Sequence, residues 1–214
     1  MHDIASFGLY MVVFLFSLSL HEAAHAWTAE QFGDRTGRQL GRVTLNPLPH
    51  IDLFGTLIFP AIGFFTGATM FGWAKPVPWN SRNVKDYRKA SIWIAAAGPI
   101  SNILVLVVFV ILLKVFHAYL LTGGVVRGTA LEPLYQMCMF GAQLNIALAV
   151  FNLIPIPPLD GSWILPQFLP YTLARSYEQL RPYGFFMLIV CLYLGVFTVV
   201  LTPFWSLLRA IIYS

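Results

Sequence analysis

Charged side chains are scarce in this chain of 214 residues: Asp, Glu, Lys and Arg together make up only 10% of it. A soluble domain carries about 25%, so this chain has too few charges to cover a surface that faces water. Apolar residues make up 58%, and the mean hydropathy is +0.72. The shortage of charge excludes an ordinary soluble domain and predicts that the chain lies in a lipid bilayer.

The chain also has too few cysteines for a cysteine metal motif and too few clustered basic residues for a nucleic-acid-binding protein. The two cysteines, Cys138 and Cys191, lie in apolar segments without the spacing of a metal motif, which predicts that they serve packing. The net charge is +4, but the basic residues lie in the loops between apolar runs and form no stripe or block. No nucleic-acid partner is therefore expected.

Five long runs contain no charged residue: 4–20, 53–74, 90–113, 133–159 and 182–208. A spanning helix needs roughly 20 apolar residues, and four runs meet this if the first continues past His21 to about Phe32. The run 53–74 is different because it contains Pro60 and several glycines. We expect one all-α membrane domain over residues 1–214, with short extended loop segments.

The first run ends in the motif His21-Glu22-Ala23-Ala24-His25. In a helix, positions i and i+4 share one face, so both imidazoles can reach one zinc ion. Glu22 then lies where it can take a proton from an activated water. Placing three ionisable residues in a membrane helix costs free energy and needs a functional reason. This favours a metal site over the alternative that these residues are polar groups that merely reach the membrane surface.

Zinc needs a third protein ligand, and Asp160 is the leading candidate. It is the only acid between Glu132 and Glu178, and it follows prolines at 155, 157 and 158. These prolines end any helix, and non-helical backbone at membrane depth is tolerated where it lines a wet cavity. His50 and Asp52 are rival ligands in a turn-like stretch, whereas His2 and His117 are expected to be ordinary.

The histidine motif followed far downstream by Asn152-Leu-Ile-Pro-Ile-Pro-Pro-Leu-Asp160-Gly161 resembles the site-2 protease family of intramembrane zinc metallopeptidases (peptidase family M50). Further stretches that resemble the family are 41–47, 71–78 and 97–102. The resemblance implies one zinc per chain, held by His21, His25 and Asp160. It also implies Glu22 as general base and Asn152 as a group that helps to hold the substrate carbonyl. The chain resembles a minimal member without a PDZ or CBS domain.

The positions of the ligands constrain the topology. If all five runs spanned the membrane, the helices that lead to His21 and Asp160 would point in opposite directions, across a hydrocarbon core of about 30 Å. Zinc bonds of about 2 Å would then be impossible. We therefore predict four spans and a re-entrant or half-spanning hairpin near 53–74.

The charges of the loops support this topology. The two loops that flank the hairpin contain eight basic residues against four acids, and the opposite loop contains two against one: Arg35, Arg38, Arg42, Lys75, Arg82, Lys85, Arg88 and Lys89 against Glu30, Asp34, Asp52 and Asp86, then Lys114 and Arg127 against Glu132. Positive residues favour the cytoplasmic side. The site is expected nearer the cytoplasmic face of a prokaryotic plasma (inner) membrane.

These residues predict a zinc metalloprotease that hydrolyses peptide bonds in transmembrane or membrane-proximal segments of protein substrates. The alternative is a zinc-binding membrane transporter or a catalytically silent receptor. Glu22 favours hydrolysis, because a metal carrier has no use for an acid between two ligands that does not itself bind the metal. Hydrolysis of a lipid or a small amide is a third possibility.

Overall fold

A computed structural model describes residues 4–67 and 72–213, and in these ranges the regular secondary structure is helical, without a strand. Four helices are long and apolar enough to cross a membrane: α1 (Ile4–Gln31), α4 (Tyr87–Leu121), α5 (Glu132–Asn152) and α9 (Val196–Tyr213). The shorter helices are α2 (Thr36–Gln39), α3 (Phe59–Thr66), α6 (Gly161–Ile164), α7 (Tyr171–Glu178) and α8 (Gly184–Tyr193). The expected all-α membrane fold with four spans is confirmed.

Helix α4 is central to the bundle, because it packs against α1, α5 and α9. Its first turn is capped by Asp86, whose side chain accepts a hydrogen bond from the backbone N–H of Lys89 at 3.0 Å. One buried cluster joins α4, α5 and α9 and includes Leu113, Cys138 and Leu208. Cys138 therefore serves packing, as expected. The central position of α4 brings its polar residues between α1 and α5.

The run 53–74 does not form a spanning helix. A π-helical turn of six residues, Leu53–Ile58, leads into the eight-residue α3, which together reach about 21 Å at 1.5 Å per residue. Residues 68–71 lie outside the described ranges. From Gly72 the chain is extended: the N–H of Trp73 donates to the carbonyl oxygen of Gly55 at 3.0 Å, and that of Lys75 donates to His50 at 2.8 Å. The two ends of the hairpin thus lie together, as the re-entrant topology requires.

The run 182–208 was expected to be one span, and this prediction is wrong in its bounds. Helix α8 ends at Tyr193 and α9 begins at Val196, with a break at Gly195, whose φ of +69° is accessible to glycine at little cost. Ten residues of α8 cover about 15 Å, so α9 alone is the span. A continuous apolar run does not show where one helix ends and the next begins.

The loop between α5 and α6 is braced by α8. Gly184 lies so close to Pro157 that a Cβ atom would stand 2.3 Å from the carbonyl oxygen of Pro157. Leu188 of α8 packs with Leu159, next to Asp160. This loop ends helix α5 where the prolines predict, and the bracing fixes where the Asp160 carboxylate lies.

Candidate metal centre

Three side chains converge where α1 meets the loop before α6. The Nε2 atoms of His21 and His25 are 3.0 Å apart, and they lie 3.3 and 3.4 Å from the carboxylate oxygens of Asp160. His21, His25 and Asp160 form the one group of at least three potential ligands that the described ranges contain. The structure brings together the three residues that the sequence pointed to.

The outer nitrogen of each imidazole is held by an oxygen atom. His21 Nδ1 lies 2.6 Å from the side-chain oxygen of Asn102, and His25 Nδ1 lies 2.6 Å from the backbone carbonyl of Ile94. Oxygens of amides and carbonyls only accept hydrogen bonds, so each Nδ1 carries the proton. In the neutral imidazole each Nε2 then presents a lone pair to the other histidine and to Asp160.

A cation explains this arrangement. Two lone pairs 3.0 Å apart repel each other, and Asp160 Oδ2 is buried without a hydrogen-bond partner among the described residues. Two imidazole nitrogens and a carboxylate oxygen are zinc ligands in many catalytic sites, where the fourth position stays open for water. The donor set therefore fits zinc.

Gly98 of α4 is required by the close approach of the two rings. A Cβ atom at this position would stand 2.4 Å from His21 Cε1 and 2.4 Å from His25 Nε2. No real Cβ contact is that short, so any larger residue would displace a ligand. The match of residues 97–102 to the family gave Gly98 no role, and its role follows from the packing alone.

A chain of buried polar side chains supports His21. Asn102 donates from Nδ2 to Asn145 Oδ1 at 2.9 Å, and Asn145 donates to Ser17 Oγ at 2.9 Å and to its own helix at Gly141 O. All three side chains are buried. Sequence reasoning missed Asn145 and Ser17, although a buried amide in an apolar span is itself a signal. These hydrogen bonds connect α1, α4 and α5 behind His21.

Glu22 faces a cleft of about 470 Å³ beside the three ligands. Its Oε2 accepts a hydrogen bond from the backbone N–H of Val77 at 3.0 Å. The cleft is mostly apolar, with several aromatic side chains in its wall: Trp73, Trp79, Phe151, Trp163 and Phe185. Asn152 also lines the cleft, and its Nδ2 donates to Leu148 O at 2.9 Å.

The rival ligands serve the local fold. His50 is buried, its Nε2 lies 3.1 Å from the carbonyl oxygen of Thr44, and it is not part of the ligand cluster. Asp52 caps the π-helical turn by accepting from the backbone N–H groups of Phe54 and Gly55 at 3.1 and 2.7 Å. His117 packs its ring edge-on against Tyr213, and His2 lies outside the described ranges.

Known proteins resemble this chain over most of its length. The family model described as Peptidase family M50 matches residues 9–195. A Bacillus subtilis protein named as a zinc metalloprotease, YwhC, is 38% identical over 182 residues, which cover 85% of this chain and 78% of YwhC. Rip2 of Mycolicibacterium smegmatis, also named as a zinc metalloprotease, is 29% identical over 192 residues, covering 86% of this chain and 68% of Rip2. No solved structure matches the chain.

Proposed function

Because this chain belongs to peptidase family M50 and is a zinc metalloendopeptidase of the site-2 protease type, we propose that it cleaves transmembrane or membrane-proximal protein segments with Glu22 as general base. The observation that carries the proposal is the shared cleft: Glu22 and the ligand cluster open onto one cavity inside a bundle of membrane-spanning helices. The family makes the chain a protease, and this position supports cleavage at membrane depth.

The polar residues of the cleft divide the steps of hydrolysis between them. His21, His25 and Asp160 would hold zinc, which would supply Lewis-acid activation of a water and of the scissile carbonyl. The Glu22 carboxylate takes the proton of the attacking water and returns it to the leaving amine. The hydrogen bond from Val77 holds that carboxylate toward the cleft. Asn152 has a second N–H beside the one that it gives to Leu148, and it donates this N–H to the substrate carbonyl oxygen.

The extended segment after the hairpin offers a place for an unwound substrate. A transmembrane helix must unwind locally, because its carbonyl groups are hydrogen-bonded within the helix. Trp73 and Lys75 turn their N–H groups toward Gly55 and His50. In an extended chain, alternate residues face opposite edges, so the backbone of Ala74 faces away from these partners. We propose that substrate pairs with this edge beside the ligands.

The site lies nearer the cytoplasmic face in this proposal. Asp34 accepts a hydrogen bond from the backbone N–H of Asn80 at 2.7 Å, so the loop after α1 and the loop before α4 lie on one side of the membrane. These loops and the first turn of α4 contain eight of the thirteen Lys and Arg residues, which favours the cytoplasmic side. Single cysteines near 43 and 83, with Cys138 and Cys191 replaced, should both react with a reagent confined to the cytoplasm. Reaction from the outside would overturn this orientation.

The decisive experiment compares the wild type with Glu22→Gln, which keeps the size of the side chain and removes its basicity. Both proteins, purified in detergent, should bind one zinc per chain, and only the wild type should cleave model transmembrane substrates. Zinc in both proteins and cleavage by neither would contradict the protease and favour the transporter. Absence of zinc from both would show that the ligand assignment is wrong.

A further inference from the structure

The turn between α1 and α2 contains a buried carboxylate that plays no part in the ligand cluster. Asp34 has no exposed surface, and no cation pairs with it among the described residues. Its Oδ1 accepts from Thr36 N at 3.1 Å, Thr36 Oγ1 at 2.6 Å and Asn83 Nδ2 at 2.7 Å. Its Oδ2 accepts from Asn80 N at 2.7 Å. A buried charge is tolerated only when it is fully hydrogen-bonded, so four donors have been gathered around this group.

Two of these donors belong to the segment that also holds Glu22. Asn80 lies three residues after Val77, whose N–H donates to Glu22 Oε2 at 3.0 Å. Pro76 and Pro78 have no N–H, so Val77 provides the one backbone donor of residues 76–78. The carboxylates of Asp34 and Glu22 thus accept hydrogen bonds from two nearby residues of one extended segment. Any slide of the segment would move the partner of Glu22.

The backbone of the same turn packs directly on this segment. A Cβ atom on Gly33, whose φ is +106°, would stand 3.1 Å from the carbonyl oxygen of Asn83. A Cβ atom on Gly37 would stand 3.0 Å from Ala26 Cβ and 3.3 Å from Val77 Cγ1. Gly33 in the turn and Gly37 in α2 therefore allow this part of the backbone to approach both α1 and the segment. The hydrogen bonds of Asp34 therefore add to a close packing contact between this backbone and the segment.

We propose that Asp34 is a positioning residue for the hydrolysis: it anchors residues 77–83 so that the N–H of Val77 holds the Glu22 carboxylate toward the scissile bond. This inference rests on the proposed function, since Glu22 is the general base only there. Asp34 touches neither substrate nor metal in this account. It acts through the segment, and its loss lowers turnover without removing zinc.

Kinetics of variants separate this role from general stability. Asp34→Asn turns one acceptor oxygen into a donor and should lower kcat about 10-fold or more, because small misplacements of reacting groups are costly. KM and one zinc per chain should remain. Asn83→Asp faces Asp34 with a second carboxylate and should lower kcat likewise.

The matched control is Asp86→Asn, the same substitution at the end of the loop that contains residues 77–83, where asparagine is also a good helix cap. It should leave kcat unchanged. Asp34→Asn with the kcat of the wild type, or a fall in kcat that only follows lost zinc, would overturn the proposal.

A second measurement does not depend on cleavage. A spin label on Ser81→Cys, an exposed position between Asn80 and Asn83, should become more mobile in Asp34→Asn, with Cys138 and Cys191 replaced by alanine. A label on exposed Ser176→Cys of α7 should not change. An unchanged label at 81 overturns the anchoring role whatever the kinetics. A freed label in a chain that cleaves no substrate supports the anchor and contradicts the proposed function.

Discussion

A methyl group added at position 98 has no room between the two histidines. In Gly98→Ala the new Cβ would stand 2.4 Å from one atom of each imidazole and 2.6 Å from His21 Nε2. Carbon atoms pack at about 3.5 Å, so the rings or α4 must move by about 1 Å. The acceptors of both Nδ1 atoms, Asn102 Oδ1 and Ile94 O, belong to α4 as Gly98 does, and these hydrogen bonds are 2.6 Å long. A ring that moves apart from its acceptor by 1 Å loses that bond.

The size of the effect follows from these contacts. Loss of a hydrogen bond that orients a metal ligand lowers metal affinity about 10- to 100-fold. Two ligands are disturbed here, so we expect zinc affinity to fall by about 100-fold, equivalent to roughly 2.8 kcal/mol. Overpacking costs about 1–3 kcal/mol of fold stability in addition, and cleavage should fall with zinc occupancy.

The assay is competition for zinc against a chelator of known affinity, with the protein in detergent. Thermal unfolding of the metal-free proteins measures the packing cost separately. Gly8→Ala is the matched control, because nothing lies within 4 Å of a Cβ atom at position 8 of α1. It should bind zinc as the wild type does. A zinc affinity of Gly98→Ala within threefold of the wild type would refute the reasoning.

Two further predictions concern buried polar groups. Asn102→Ala removes the acceptor of His21 Nδ1 and the donor to Asn145, so zinc affinity in the same competition assay should fall about 10- to 100-fold; an unchanged affinity would contradict the role of this chain. For Asp34, burial raises the pKa of the carboxyl, but hydrogen bonds from Thr36, Asn83 and Asn80 outweigh it and hold the pKa below its ordinary value. A carboxyl whose pKa is lower in the folded state stabilises the fold at any pH above its unfolded-state pKa of about 4. That stabilisation is lost as the pH falls through the folded-state pKa. The gap in melting temperature between wild type and Asp34→Asn should thus be constant above about pH 5 and narrow below pH 4; a gap that widens in acid would contradict it.

The sequence was enough for the parts of the structure that depend on solvent and spacing. Charge-free runs predicted α1, α4 and α5, because a membrane core demands length and apolarity. The requirement that His21 and Asp160 meet predicted that the run 53–74 turns back. The helix break at Gly195 was not predicted, because an apolar run of 27 residues looks the same whether it is one helix or two.

The support around the ligands was harder to predict for a different reason. The sequence reveals His21, Glu22 and His25 because their fixed spacing lies within about one helix turn. Asn102, Asn145 and Ser17 come from three separate helices, and only the packing of α1, α4 and α5 brings them together. Such contacts depend on the rotation of each helix about its axis, which hydropathy does not determine.

The placement of Asp160 also has a consequence for the making of the protein. His25 precedes Asp160 by 135 residues, and at about 5–20 residues per second the ribosome needs roughly 7–27 s to add them. Helix α8, which braces the loop of Asp160, is made later still. A nascent chain that has not reached Asp160 therefore holds two histidines without their third ligand. Copies cut short before Asp160 lack the complete ligand set and, with it, the protease activity that depends on the metal.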